Sequence, residues 1–187
     1  MRGRLPWALL AAVGLVAAIV FAISRLDFGE AIREVTLPLR HDDIIRQQAK
    51  EKNLDPALIA AVIYEESRFR DQTSSAGARG LMQITPKTAT RVAKLSGGVA
   101  FTTEDLADPD INIRYGTYLL SYLLDLYGGN VVAALAAYNA GQANVEHWGG
   151  IELEPDDIGF PETRAYVKNV LERRQQYRDN YADDLGL

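Results

Sequence analysis

Apolar positions fall along this chain in two patterns: one unbroken run near the N-terminus and, beyond it, recurrences at three- and four-residue steps. Residues 5–23 (LPWALLAAVGLVAAIVFAI) contain no charged side chain, and at the rise of an α-helix the run is about long enough to cross a bilayer core. One spanning helix is predicted, within an anchor segment 1–24. Arg2 and Arg4 precede the run and only Arg25 follows it closely, a bias that keeps the short N-terminus in the cytoplasm and sends the rest outward. A cleaved signal peptide is the alternative. Its apolar core is usually shorter, about 7–15 residues, and Phe21-Ala22-Ile23-Ser24 is a poor small-x-small cleavage site.

Residues 25–40 lose that pattern, with Gly29 and Pro38 interrupting any long periodic run, and read as a stalk. The folded domain is expected over 41–187. Asp42 can cap a short helix through Lys52, and Asp55-Pro56 is a paired start signal for a longer one. In that helix Leu58, Ile59, Val62, Ile63 and Phe69 recur at helical spacing, which predicts one buried stripe. A polar, glycine-rich connection (RDQTSSAGARG) precedes a short helix after Pro86, followed by a loop around Ser96-Gly97-Gly98. Asp108-Pro109 opens a helix over 112–127 that Gly128-Gly129 stops. Asn130 caps an alanine-rich helix over 131–137, and the last helix is predicted over 163–179. No period-two strand of useful length and no internal repeat is present, so the fold class is all-α.

Composition narrows this picture. About 160 residues follow the apolar run, enough for one domain with a real core. Cysteine is absent, so neither disulfides nor thiolate metal sites hold the fold. The net charge is −5, and more negative once Arg2, Arg4 and Arg25 are set aside, which argues against a nucleic-acid partner. His41 and His147, the two histidines, are too scattered for a metal site and read as surface residues. Tyr115, Tyr118 and Tyr122 share one helical face and read as packing. Asp183 and Asp184 read as a solvated tail.

The stripe contains one anomaly. Steps of four from Val62 and three from Ile63 land on Glu66, where an ionised carboxyl out of water is strongly disfavoured. Such a group either finds a partner or holds its proton near neutral pH, the state a general acid needs. Periodicity alone leaves both readings open. Glu65 falls on another face with Ala61 and Arg68, where an i,i+3 ion pair in solvent is expected.

Four segments then come into play in order: Glu66-Ser67-Arg68-Phe69, Gly77-Ala78-Arg79-Gly80-Leu81-Met82-Gln83, Ala137-Tyr138-Asn139-Ala140-Gly141 and Glu162-Thr163-Arg164-Ala165-Tyr166. Together they resemble the lysozyme-like lytic transglycosylase family over about residues 42–178. The resemblance implies a helical lysozyme-like domain with a substrate groove, and it gives Glu66 the place of the family's sole catalytic glutamate. It implies that Met82 and Gln83 bracket the sugar beside the scissile bond. It puts Tyr138 and Asn139 across the groove and brings Tyr166 near the catalytic carboxyl. Core filler remains the other reading of Met82, and a loop-stabilising amide that of Gln83. The linker before Gly77 is one residue shorter than is usual in relatives. Counting from Gly77 therefore gives the family serine role to Ser74, counting from Glu66 gives it to Ser75, and turn formation is open to both. Glu162 reads as a helix-start residue favouring the positive dipole end.

The implied reaction needs no metal or cofactor. Glu66 protonates the β-1,4 glycosidic oxygen between N-acetylmuramic acid and N-acetylglucosamine in peptidoglycan strands. It then removes the proton from the sugar's own primary hydroxyl, closing a 1,6-anhydro ring. A hydrolytic muramidase and a non-catalytic wall-binding module are the alternatives. The expected setting is a single-pass, monomeric membrane protein with its domain outside the cytoplasm.

Overall fold

The computed structural model describes residues 11–15, 28–96 and 102–187. Most of the predicted span and of the loop around Gly97 and Gly98 lies outside these residues. Among the described residues no helix is long and apolar enough to cross a membrane; residues 11–15 are helical, with Val13 and Leu15 exposed. The stalk segment contains helix α1 (Phe28–Thr36). Neither breaker interrupts it: Gly29 falls in its first turn and Pro38 beyond its end. The described residues up to Leu37 and those from Pro38 onward form separate compact units, and the cleft lies in the second.

In that unit Asp55 starts helix α3 (Pro56–Ser67), its carboxylate accepting from the Ala57 N–H at 3.0 Å while Pro56 occupies the first turn. The periodicity predicts one buried stripe here, yet residues 57–63 are all buried. A helix apolar all round must be covered all round. α8 (Pro161–Asn180) covers α3 most extensively, and α2 (Asp42–Lys52) covers another side. Partial exposure returns at Tyr64, Glu65 and Glu66, in the last turn.

Helix α6 (Val131–Ala140) is the second apolar helix, packed between α5 (Pro109–Leu126) and α8. Asn130 caps it by accepting from the Ala133 N–H at 3.1 Å. It runs three residues past its predicted end, so Tyr138 and Asn139 are still helical when Gly141, at φ 88°, stops it. Helix α4 (Pro86–Ser96) packs on α5, and the short helices α7 (Gln142–Trp148) and α9 (Ala182–Leu185) complete the unit. Among the described residues the β pairing is limited to isolated bridges of Arg79 with Thr73 and Ile84.

Two local expectations are corrected. His41, in the left-handed region at φ 57°, precedes α2 without a side-chain cap bond, and Asp42 is the first helical residue, paired with Arg46. Arg68 does not pair with Glu65: the helix ends at Ser67, and Arg68 and Phe69 adopt φ 52° and 58°. A left-handed bulky residue costs about 1–2 kcal/mol, which the burial of the Phe69 ring, worth about 1.5–3 kcal/mol, offsets. That ring lies 6.2 Å from Tyr177, whose hydroxyl donates to the Pro38 carbonyl at 2.6 Å.

The loop between α3 and α4 is fastened at several points. The Ser67 hydroxyl donates to the Leu81 carbonyl at 2.8 Å. The buried Asn112 amide of α5 accepts from Met82 N–H at 2.8 Å and donates to the carbonyls of Arg79 and Leu106 at 2.9 and 3.0 Å. Two glycines permit this closeness. A Cβ on Gly80 would collide with the Asn112 amide, and one on Gly116 with the Met82 side chain.

Asp55 also accepts from Arg174 and Arg178 of α8, at 2.5 and 3.1 Å. Asp55→Ala removes both the cap and this link and should lower stability by about 2 kcal/mol. A urea midpoint equal to the wild type's would dismiss Asp55 as a joint between α3 and α8.

Candidate active site

The last turn of α3 brings Glu66 to a cavity of about 280 Å³. The α3–α4 loop contributes Ser74, Ala78, Gln83 and Ile84 to its wall; Thr85 and Thr88 line it at the start of α4, Leu119 on α5, and Tyr138 and Asn139 at the end of α6. Glu66 is the one carboxylate among these lining residues.

Tyr166 reaches Glu66 from α8, its hydroxyl donating to Oε1 at 2.8 Å. No cation pairs with Glu66 among the described residues. Burial raises its pKa from 4.5 to about 7; the Tyr166 hydrogen bond, which favours the charged form, opposes this, and the neighbouring Glu65 charge adds to it. Glu65 itself turns away from the cavity, 3.7 Å from Arg173 and within 3.4 Å of the Asn169 amide. Burial also holds the hydroxyls of Tyr138 and Tyr166 well above their usual range, so both keep their protons. The arrangement offers one protonated acid in a polar cleft, with fixed hydroxyl donors around it.

The sequence-predicted residues divide into two groups. Ser74, Gln83, Tyr138 and Asn139 line the cavity with Glu66, and Tyr166 touches the carboxyl from outside the lining. Of the two candidate serines, Ser74 faces the cavity and also caps its own turn, accepting from the Ala78 N–H at 3.1 Å, whereas Ser75 is exposed elsewhere. Gln83, at φ 48°, donates to the carbonyls of Gln72 and Gly80, so it stabilises the loop while facing the cleft. Asn139 accepts from the Thr163 hydroxyl at 2.8 Å.

Met82 is the correction. Its side chain is fully buried against Gly116 and does not line the cavity; its contribution is the backbone carbonyl, which accepts from the Tyr138 hydroxyl at 2.9 Å. Thr85, Thr88 and Leu119 were not foreseen, although a threonine before Pro86 is itself a helix-start signal: the Thr85 hydroxyl accepts from the Thr88 N–H at 3.1 Å. Tyr115, Tyr118 and Tyr122, expected as packing, are only half-buried. Glu162 is exposed in the first turn of α8, outside the cavity.

An all-helical unit with a polar cleft and one proton-holding glutamate is an architecture of the lysozyme-like kind. The chain belongs to the family described as the transglycosylase SLT domain, which it matches over residues 43–158. It is 36% identical over 154 residues to the soluble lytic murein transglycosylase of Escherichia coli K12, covering 78% of this chain and 24% of that protein. It is 32% identical over 193 residues to the membrane-bound lytic murein transglycosylase C of Glaesserella parasuis, covering 83% of this chain and 53% of the relative. Among solved structures it superposes with a TM-score of 0.73 on an inactive glutamate-to-glutamine mutant of the lytic transglycosylase Slt from Pseudomonas aeruginosa, 35% identical, covering 79% of this chain and 25% of that one. The chain thus spans about a quarter of the soluble relatives it matches.

A raised carboxyl pKa has a consequence for stability. The folded chain holds the Glu66 proton up to about pH 7, whereas the unfolded chain releases it near 4.5. Stability therefore falls as pH rises from about 4.5 through about 7, by up to ~3 kcal/mol. Glu66→Gln removes this penalty, so its urea midpoint should exceed the wild type's increasingly above pH 5 and level off above pH 8. A difference independent of pH would reject the buried, protonated carboxyl.

Proposed function

We propose that this chain is a lytic transglycosylase that cuts peptidoglycan glycan strands between N-acetylmuramic acid and N-acetylglucosamine, leaving 1,6-anhydro ends. The observation that carries the reading is the solitary Glu66 carboxyl, protonated to about pH 7 and facing a polar cleft. Two-carboxylate glycosidases place an acid and a nucleophile or base on opposite sides of the bond. With one carboxyl lining this cleft, the same group has to serve twice. Protonated Glu66 gives its proton to the glycosidic oxygen; the substrate's acetamido oxygen supports the developing cation; the carboxylate so formed takes the proton of the sugar's primary hydroxyl as that oxygen closes the ring. Attack from within one sugar makes the second step effectively unimolecular.

Tyr166 steadies the carboxylate between the two steps, and Tyr138, Asn139, Gln83 and Ser74 offer the sugar polar contacts. The names of the relatives support this assignment, as does the inactive glutamate-to-glutamine form of the Pseudomonas aeruginosa enzyme. The apolar, uncharged run at 5–23, exposed Val13 and Leu15 within it, and the membrane-bound relative support an anchored chain with its domain outside the cytoplasm.

Mass spectrometry of the chain ends released from purified peptidoglycan tests the reaction. Anhydro ends are expected; reducing muramic acid ends would assign a hydrolytic muramidase instead. Glu66→Gln should lower kcat by roughly 10²–10⁴-fold while wall binding persists. Above about pH 7 kcat/KM should fall about tenfold per pH unit as the acid form is lost. Tyr166→Phe removes a hydrogen bond to the ionised form and should move that alkaline limb upward; an unmoved or lowered limb would exclude this role for Tyr166.

A further inference from the structure

Helix α4 begins at the catalytic cavity, where Thr85 and Thr88 line the wall, and it carries no acidic residue. Lys87, Arg91 and Lys94 fall at steps of four and three, on one face about 10 Å long. With Thr90 and Leu95 they line an open depression of about 540 Å³. Elsewhere in this acidic chain Arg46, Arg114, Arg174 and Arg178 each meet an aspartate. Lys87, Arg91 and Lys94 meet no carboxylate among the described residues. Three unneutralised cations on one exposed face hold a local positive field that the net charge of −5 conceals.

Arg91 is already ordered. Its guanidinium carbon lies 5.5 Å from the centre of the Tyr122 ring, and its Nη2 donates to the Tyr122 hydroxyl at 3.4 Å. A guanidinium held in this way loses less freedom when it meets an anion. The pair also adjoins the cleft. Arg91 lies one turn beyond Thr88 on α4, and Tyr122 one turn beyond Leu119 on α5, and both Thr88 and Leu119 line the catalytic cavity.

We propose that Lys87, Arg91 and Lys94, with Tyr122 beneath Arg91, form a subsite for the free carboxylates of the peptides attached to the glycan strand. The assignment rests on the proposed substrate. Continuity with the cleft favours this occupant over a free anionic polymer: a peptide tethered to the sugar bound at Glu66 is delivered to the depression at high effective concentration. The basic face then selects strands that still carry their peptides.

Binding, rather than cutting, separates this idea from the reaction itself. The full chain bearing Glu66→Gln, with and without Lys87→Gln, Arg91→Gln and Lys94→Gln together, is titrated with peptide-bearing strands, with strands stripped of peptides by an amidase, and with inorganic polyphosphate. The triple change should weaken binding of peptide-bearing strands about tenfold, more at low salt, and alter binding of stripped strands by less than about twofold. Equal loss on both forms, or loss on neither, overturns the subsite. Loss confined to inorganic polyphosphate would reassign the face to phosphate polymers and overturn it too. A wild-type chain that binds strands without cutting them defeats the proposed reaction and leaves this test standing. All three side chains are exposed, so an unchanged circular dichroism melt is expected for the variant.

Discussion

A carboxyl group that loses water without gaining a cation keeps its proton, and the site depends on that imbalance at Glu66. Burial raises its pKa to about 7, and the Tyr166 hydrogen bond pulls back without restoring the ordinary value. In the proposed reaction the same residue is therefore an acid when substrate arrives and a competent base once the proton has moved. Neither state would last beside a lysine or arginine, which would hold the group ionised. Arg173 faces Glu65 and lies 4.1 Å above the Tyr64 ring. Its charge is spent on the adjacent glutamate.

Such a group is useful only if the surrounding wall stays still, and most of the polar chemistry around it is framework. Ser67 ties the end of α3 to the Leu81 carbonyl, Asn112 ties the same loop to α5, and the Met82 carbonyl receives Tyr138 from α6. Three helices thus meet on one short loop. The close approaches need Gly80 and Gly116, because a side chain at either position would enter the space of Asn112 or Met82. A methyl group at either place would displace the wall before it altered any group that touches substrate.

This division explains what the sequence disclosed. An apolar repeat made the Glu66 carboxylate conspicuous but left its role open until the four-segment resemblance was added, and the starts of α3 and α6 were legible because Asp55-Pro56 and Asn130 act on their own backbone. Long-range partners leave no periodic trace. The Asn112 amide bonds residues six to thirty-three positions away, and its place in the sequence suggested only a helix start. Glu65 was assigned to Arg68 by spacing, but spacing cannot register that the helix stops at Ser67 and that Arg173 of α8 lies alongside. Met82 drew a substrate role from its motif. Its backbone carbonyl meets Tyr138, while its side chain fills the core.

Helix direction adds a final element to the electrostatics. Glu66 sits in the last turn of α3, where unpaired carbonyls concentrate negative charge and further discourage ionisation. Helix α4 begins at the same cavity with its positive end, at Thr85 and Pro86, and continues into Lys87, Arg91 and Lys94, which meet no carboxylate among the described residues. The cleft is therefore polarised: the end of α3 disfavours anions, and the start of α4 attracts them. On the proposed reading, a glycan strand with acidic branches meets a field that draws its charged side groups toward α4 and leaves the neutral glycosidic oxygen to Glu66. In the same proposal strand orientation follows from charge before any sugar hydroxyl is recognised.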